Sequence, residues 1–580
     1  MDEGVRSYST EKQDIEKVEK VTDVTPPSGG LENRDGESVS VTWKTWAVIF
    51  VLSSTFGLSF WPVPTTAALQ TKLSIAFGDP SSVAWYVPAY TTGNAIGFLL
   101  AGANSDLFGR RLFLLFGNVT CCVGFIIIAT SKGASQFTAG LAITGFGGGF
   151  CQMAMCSIPE LLPNKFRHIG ICLSDGFIFV IVIIGPIVGR YAIDSGGWKY
   201  IYWGGFIAQS ISLAAIFSFY KPPKHPKGVP WHEAYKGLDY VGTAIIIPGI
   251  CLALVGIINT THKPSSDVTV VAPMVVGFVL IAAFGVWETW SNVPYKLCPP
   301  HLFRSHNGRE FTAPFIVAFI VTMFYYSVNI IWPTMVNVFY LTPTTSRTTE
   351  LLLTLPPNVG LVTGACLLIA FGNLAGNWYW TLIISWTGMT LFGALMGLCT
   401  PFNQSMMIVL AFCCVNATFF GWAQYESVAF TQLGVPQQDL GFSGGLAGMA
   451  RYAGGSLAQA IYTTILTNTQ TRRAAITLPQ AAIAAGMTSE NAQKLLAAFP
   501  LGATAIAAVP GTTAEALAAA ALAFQWSYAH ALKVVALSSL SFGLVGLICC
   551  FLCEDITPKM TNKIEVFLEN DVYADKNEFH

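Results

Sequence analysis

Charge is what this sequence has least of. Only 11% of its 580 residues are Asp, Glu, Lys or Arg, against roughly 25% in soluble domains. The shortage is concentrated: residues 1–44 hold 16 charges and residues 554–580 hold 10, so the 509 residues between them carry 37, about 7%. That excludes a soluble enzyme, and a net charge of −1 implies no global electrostatic partner such as nucleic acid. The chain has no Gly-x-x-x-x-Gly-Lys-Ser/Thr loop, which argues against direct ATP hydrolysis. Its eight histidines are scattered, and His301 and His306 are spaced so that they do not stack on a helix face. A membrane metalloenzyme is therefore disfavoured, and neither a metal nor a cofactor is expected. Most of the 14 cysteines sit inside apolar runs, like Cys121, Cys122, Cys413 and Cys414, where they act as small hydrophobes rather than a disulfide framework. The polar N-terminus is too charged for a cleaved signal.

What the chain has in plenty is apolar residues, 53% of the total, in repeated runs of about 20, the length that crosses roughly 30 Å of hydrocarbon. The runs predict an all-α integral membrane protein with fourteen spans near 45–63, 83–105, 112–131, 137–157, 170–190, 200–219, 240–259, 269–289, 311–334, 350–371, 379–398, 405–427, 442–466 and 531–553. The domain reading follows: a disordered cytosolic tail (1–44), a six-helix half (45–219), a Pro- and Lys-rich cytosolic linker (220–239), two extra helices (240–289), a second six-helix half (290–553) and a cytosolic tail (554–580). Basic residues in short loops favour both termini inside, with Arg110, Arg111, Lys165, Arg167 and Arg309 among the cytosolic ones and Lys72, Arg190 and Arg347 among the external ones. The sequons at Asn259 and Asn403 then fall outside as glycosylation candidates. The Ala-rich stretch 468–525, broken by Pro479, Pro500 and Pro510, reads as an external loop of short helices over the mouth or on the lipid surface, with a disordered loop as the alternative.

Polar residues inside spans are costly and mark a solute path or interhelical bonding. At helical spacing, Asp175, Phe179, Ile183, Pro186 and Arg190 share a face of span five, and Arg451, Gly455, Gln459 and Tyr462 one of span thirteen. Tyr325, Asn329, Trp332 and Tyr340 align on span nine, Asn416, Phe420, Gln424 and Ser427 on span twelve, and Gly149, Gln152, Cys156 and Glu160 on span four. The candidate cavity set is Tyr325, Asn329, Trp332, Asn416, Phe420, Gln424, Gln459 and Tyr462: flat apolar walls with a few amides and hydroxyls, suited to an amphipathic organic molecule.

The loop between spans two and three reads Gly102-Ala-Asn-Ser-Asp106-Leu-Phe-Gly109-Arg110-Arg111. It resembles the signature of the major facilitator superfamily, a latch that holds one side of the transporter closed. Gly176, followed by Gly185-Pro186-Ile-Val-Gly189, is similar to the superfamily's antiporter motif, although Arg190 stands where the motif ends on a second glycine. Fourteen spans resemble the drug:proton antiporter branch. The Pro159-to-Arg167 loop and the ending from Cys553 to Lys563 look like the fungal trichothecene efflux pump and siderophore transporter group. The resemblance implies two six-helix halves joined by two linker helices, acting as a monomer. Two positions used by many relatives for proton coupling are absent: Leu141 replaces the span-four arginine, and span one has only Ser53, Ser54, Thr55 and Ser59. The remaining proton-coupling candidates are Asp175, Glu160 and Glu426, with Arg451 as a fixed positive partner.

The resulting expectation is a proton-coupled exporter of a small hydrophobic compound (a mycotoxin, other secondary metabolite or antifungal drug) at the plasma membrane, with the vacuolar membrane as an alternative. Its partners would be that substrate, protons and the lipid bilayer. The rivals are a proton symporter importing ferric siderophores and a nutrient sensor.

Overall fold

A backbone in hydrocarbon must satisfy its N–H and C=O groups internally, which favours helices. The computed structural model of the chain follows that rule. It describes residues 41–222, 231–260, 263–264, 266–342, 344–399, 402, 404–436, 439–499, 503–562, 564, 566, 568 and 569. Most of the N-terminal tail, the middle of the 220–239 linker, the last residues of the chain and Asn403 lie outside them.

Among the described residues, a long helix overlaps each of the fourteen predicted spans. They are α1 (Trp43–Phe60), α2 (Val83–Phe108), α3 (Arg110–Ala129), α4 (Ala134–Cys151), α5 (Gly176–Asp194), α6 (Trp198–Phe219), α7 (Tyr240–Asn259), α8 (Val268–Trp290), α9 (Thr312–Met335), α10 (Pro356–Ala375), α11 (Trp378–Leu398), α12 (Met406–Leu433), α13 (Leu440–Ala484) and α14 (Ala514–Leu552). Among the described residues, twelve helices are long and apolar enough to cross a membrane. The two left out are α2 and α13, so the count of fourteen spans is not confirmed. α2 buries Gly, Thr, Asn and Ser and α13 buries Gly and Ser, because α2 and α13 pack on each other across the middle of the molecule.

α1 continues after Trp61 as a helix over Pro62–Ala76, which packs on α5. Within the first half, α2 packs on α4, and α3 on both α4 and α6. Within the second, α10 pairs with α12, α11 with α12 and α14, and α9 with α13 and α14. α7 and α8 pair with each other, and α7 touches α2 and α13. α8 is the most exposed of the set: Val268, Val275, Phe278, Val279 and Trp290 all face outward.

The segment 468–525 departs from the predicted loop of short, interrupted helices. α13 runs unbroken for 45 residues, through Pro479 near its end, and α14 begins at Ala514 rather than near 531. At 1.5 Å per residue α13 is roughly 68 Å long, about twice a bilayer core. Its extension and the start of α14 close around the helix Ser489–Ala498, burying Leu478, Met487, Leu495 and Val509 in a small core of their own. Pooled apolar contact makes this segment a packed cap.

After Cys553 the chain crosses the latch end of the bundle. Glu554 N–H donates to Arg309 O (3.2 Å), Lys165 N–H to Thr561 O (2.7 Å), Val566 N–H to Glu160 O (3.2 Å) and Glu569 N–H to Lys221 O (3.0 Å). This strap therefore touches both halves. Cys549, Cys550 and Cys553 beside it are buried, as the small-hydrophobe reading of cysteines expects.

Candidate functional site

The predicted latch motif turns on a residue of positive φ. Gly109 has φ +85°, a conformation that suits glycine, and it ends α2 and starts α3 without a spacer. The reversal points Arg110 inward, where its guanidinium lies between Asp106 (3.4 Å) and Glu160, all three side chains being buried. Arg111 faces outward instead, donating to Phe217 O at 2.6 Å. Glu160, expected as a proton carrier, is thus a latch partner, because the helix Ala154–Glu160 ends beside Arg110.

The latch also meets the second half. Asp106 sits against Gly441 in the first turn of α13, where the positive end of a helix dipole favours a carboxylate. Behind it, Gly102 lies so close to Gly445 that a Cβ on either would overlap the other's Cα. Arg167 donates to Gln432 O at 3.3 Å and Gln432 Nε2 to Met155 O at 3.1 Å, both across the seam. In the corresponding turn of the second half, Gly376 has φ +69° and no charged neighbour in sequence, and Trp378 lies over His168 at 4.7 Å between ring centres.

Midway along the bundle a cavity of about 60 Å³ lies between the halves. The first half contributes Phe60 from the end of α1 and Asp175, Ile178 and Val182 from α5 and its cap. The second contributes Thr322, Tyr325 and Tyr326 from α9, Leu361 from α10, Gln424 and Tyr425 from α12, and Arg451 and Tyr452 from α13. A space of that size holds a few waters and is far below the 300–1,000 Å³ of an organic-ligand pocket. The halves are closed on each other at this level.

Asp175 is the one carboxyl group lining the cavity. The chain breaks between the helix Arg167–Ser174 and α5, which sets Asp175 at the cap of α5 with its backbone oxygen accepting from Phe179 (3.1 Å). Its Oδ2 accepts from the Tyr425 hydroxyl at 2.7 Å and from Arg451 Nη2 at 3.4 Å. Its Oδ1 is buried without a hydrogen-bond partner. Arg451 Nη1 rests on the Met155 sulfur at 3.3 Å, and its guanidinium lies 6.0 Å from the Tyr425 ring centre. Both partners of Oδ2 therefore come from the opposite half. Two more crossing bonds, Gln152 Nε2 to the Tyr452 hydroxyl at 2.7 Å and Ser456 to Thr91 at 2.5 Å, close the seam around them.

Of the predicted cavity residues, Tyr325 and Gln424 line this space, with Phe420 stacked on the Tyr325 ring at 5.1 Å. The others lie elsewhere. Asn329 donates to Tyr325 O of its own helix (2.8 Å), Trp332 to Leu353 O (2.6 Å) and Asn416 to Met389 O (2.5 Å), while Tyr462 packs on Phe542. Those bonds are interhelical glue or local back-bonds. Gln459 is half-buried away from the cavity. Glu426 is fully buried among α11 and α12 with one oxygen on Thr381 and the other unpartnered, one residue beyond the cavity face that Tyr425 occupies. Gly176 lies near Ser53, and Gly185 and Gly189 pack against Pro64 and Thr65, so the motif of span five seats it on the Pro62–Ala76 helix. Asn259 ends α7 and donates to Thr269 O at 2.9 Å.

Tyr425 and Tyr452 went unmarked in the sequence. Each directly follows a residue chosen for its face, and a wide cavity admits both. An aromatic beside a polar span residue is the signal that would have found them.

Comparison with known proteins agrees with this architecture. The profile of the fungal trichothecene efflux pump family matches residues 49–579. The MFS-type transporter prx5 of Penicillium rubens is 41% identical over 523 residues, 90% of this chain and 93% of that protein. The trichothecene efflux pump TRI12 of Fusarium sporotrichioides is 23% identical over 495 residues, 84% and 82% of the two chains. Among solved structures, the peptide transporter POT in complex with sulfate superposes with a TM-score of 0.53 at 13% identity, covering 90% of this chain and 97% of that one. The human organic anion transporter MFSD10 gives 0.50 at 14%, covering 73% and 94%. At these identities the structural likeness is one of fold.

Proposed function

Because the chain belongs to the fungal trichothecene efflux pump family, we propose that it is a multi-pass plasma-membrane exporter of small organic compounds, mycotoxins or other secondary metabolites, driven by protons. The two six-helix halves rock about the central cavity, exposing it to one side and then the other. The latch end faces the cytosol.

The observation that carries the proton coupling is the position of Asp175 on one half with its two partners, Tyr425 and Arg451, on the other. An adjacent cation holds a carboxylate ionised, and its departure makes the carboxyl easier to protonate. Rocking the halves apart removes Arg451 and Tyr425 together, so conformation and protonation are coupled at one side chain. With Asp175 ionised and Arg451 cationic the site carries no net charge. Once the halves part on the cytosolic side, it accepts an uncharged, largely apolar compound among Tyr325, Tyr326 and Leu361, which the closed space of about 60 Å³ cannot hold. With Asp175 protonated and the halves parted, Arg451 is left as an unpaired cation that draws water in and the compound out. Met155, a weak acceptor, offers Arg451 little to replace the carboxylate.

The test is flux in sealed vesicles holding the purified full-length chain, with a trichothecene as the probe. An imposed pH gradient should drive accumulation, collapse of the gradient should abolish it, and Asp175→Asn should uncouple the two. Probe movement that is the same with and without the gradient overturns the reading, as does an Asp175→Asn protein that still follows it.

A further inference from the structure

Arg190, the residue that displaces the last glycine of the motif in span five, has no task in the cycle just described. Its guanidinium pairs with Glu350, in the short helix Arg347–Leu353 ahead of α10. One turn further along α5, Asp194 accepts from Arg347 and from Lys72, each at 2.5 Å. Arg347 also lies over the Tyr191 ring, 4.5 Å from its centre, and donates to Arg190 O at 3.4 Å. The pairing is reciprocal: α5 offers a cation and an anion, and the facing helix offers the anion and cation that match them. Both pairs cross from one half to the other, at the end of the bundle opposite the latch.

These residues stand directly above the cavity. Asn358, the third residue of α10, donates to Val182 O at 2.9 Å, and Val182 lines the cavity wall. α5 carries Asp175 at its start and Arg190 near its finish, roughly 22 Å apart along one continuous helix with Pro186 between them. A tilt of α5 that draws Asp175 from Arg451 also swings Arg190 and Asp194 away from Glu350 and Arg347.

We propose that Arg190, Asp194, Arg347 and Glu350 form the outer gate of the transporter: positioning residues that hold the cavity shut on the side away from the latch and part once in each cycle. Half-exposed ion pairs are weak, each biasing an equilibrium by about five-fold at most. That weakness suits a closure that must open every turnover, whereas an apolar plug of the same area would hold it shut. Arginine at position 190 trades the motif's helix-packing glycine for a charged reach across the seam.

The proposal rests on the export reading only for the step the gate serves, and its test needs neither substrate nor gradient. Val182→Cys places a reporter in the cavity wall, and a membrane-impermeant maleimide is added on the gate side of sealed vesicles. Labelling is read at that position by peptide mass spectrometry, so the native cysteines do not interfere. Arg190→Glu and Glu350→Arg should each raise the labelling rate several-fold, and the double variant Arg190→Glu/Glu350→Arg should return it to that of the Val182→Cys parent. Arg190→Gln and Glu350→Gln should raise it by about two- to five-fold, and they carry the comparison if a reversal variant fails to assemble. Singles that label like the parent overturn the gate, and so does a swapped pair that labels as fast as the singles.

Discussion

Gly102 and Gly445 offer the sharpest test of how the halves close. They meet where α2 crosses α13 behind the latch, backbone to backbone. A Cβ on Gly102 would overlap Gly445 Cα and come within 2.8 Å of Gly441 O and 3.1 Å of Gly445 N. None of these atoms belongs to a flexible side chain, so contact distances of about 3.5–4.0 Å return only if the helices part by roughly 1 Å. Overpacking of this kind costs about 1–3 kcal/mol, while the gain of up to about 1 kcal/mol when alanine replaces glycine inside a helix is common to the open and closed states and cancels between them. Because the penalty exists only while the halves are closed at the latch, it shifts a conformational equilibrium rather than unfolding the chain. Gly102→Ala should therefore favour the state open at the latch end by about 5- to 150-fold. Cys156 reports on that state: it is fully buried against Gly444 in the same seam. Thiol labelling from the latch side, resolved by peptide, should rise at Cys156 in Gly102→Ala and in Gly445→Ala, while flux falls. Gly204→Ala is the control, since its Cβ would meet nothing within 4 Å. If Cys156 stays protected in both seam variants, the closed crossing of α2 and α13 is not part of the working cycle.

Two further expectations follow from buried and exposed charge. Arg451→Met strands the Asp175 carboxylate with only Tyr425 beside it, which should cost about 3–5 kcal/mol of stability in thermal unfolding; Asp175→Asn/Arg451→Met should recover most of the loss, and equal destabilisation of single and double variants would contradict the pairing. At the latch end, the Glu554 carboxylate bonded to the His306 ring (2.9 Å), together with Glu310, raises the imidazole above its ordinary 6.5, with Lys559 opposing. Its contribution to docking of the strap is thus full below pH 6.5 and lost as pH climbs through the raised value. Protease protection of residues 554–562 should weaken over that interval, and His306→Gln should flatten the dependence; an unchanged pH profile in the variant would exclude His306 as its source.

Much of this molecule was legible before any coordinates. The apolar runs located a helix at each predicted span, since a bilayer leaves the backbone few alternatives, though not the helix Pro62–Ala76. The Gly102-to-Arg111 loop pointed to a latch through its resemblance to a family signature. Asp175 and Arg451 stood out by the cost of charge inside a span. What periodicity could not supply was the neighbour that each face meets. A helix's polar stripe is set by its own residues, but its rotation and crossing partner are decided by many small contacts along the whole bundle. That is why Glu160 pairs with Arg110, why Glu426 lies behind the cavity wall, and why Trp332 and Asn416 spend their polar groups on bonds to neighbouring helices. The same physics joined the segment 468–525 into a cap: isolated, its pieces are too short and too often interrupted by proline to persist, and only a shared core makes them cohere. The sequence by itself determined that this chain crosses a membrane as helices, because apolar runs of that length have few other places to go. Only the tertiary structure decided that Asp175 on one half finds Tyr425 and Arg451 on the other, because a bond between residues some 250 positions apart exists only once the two halves have closed.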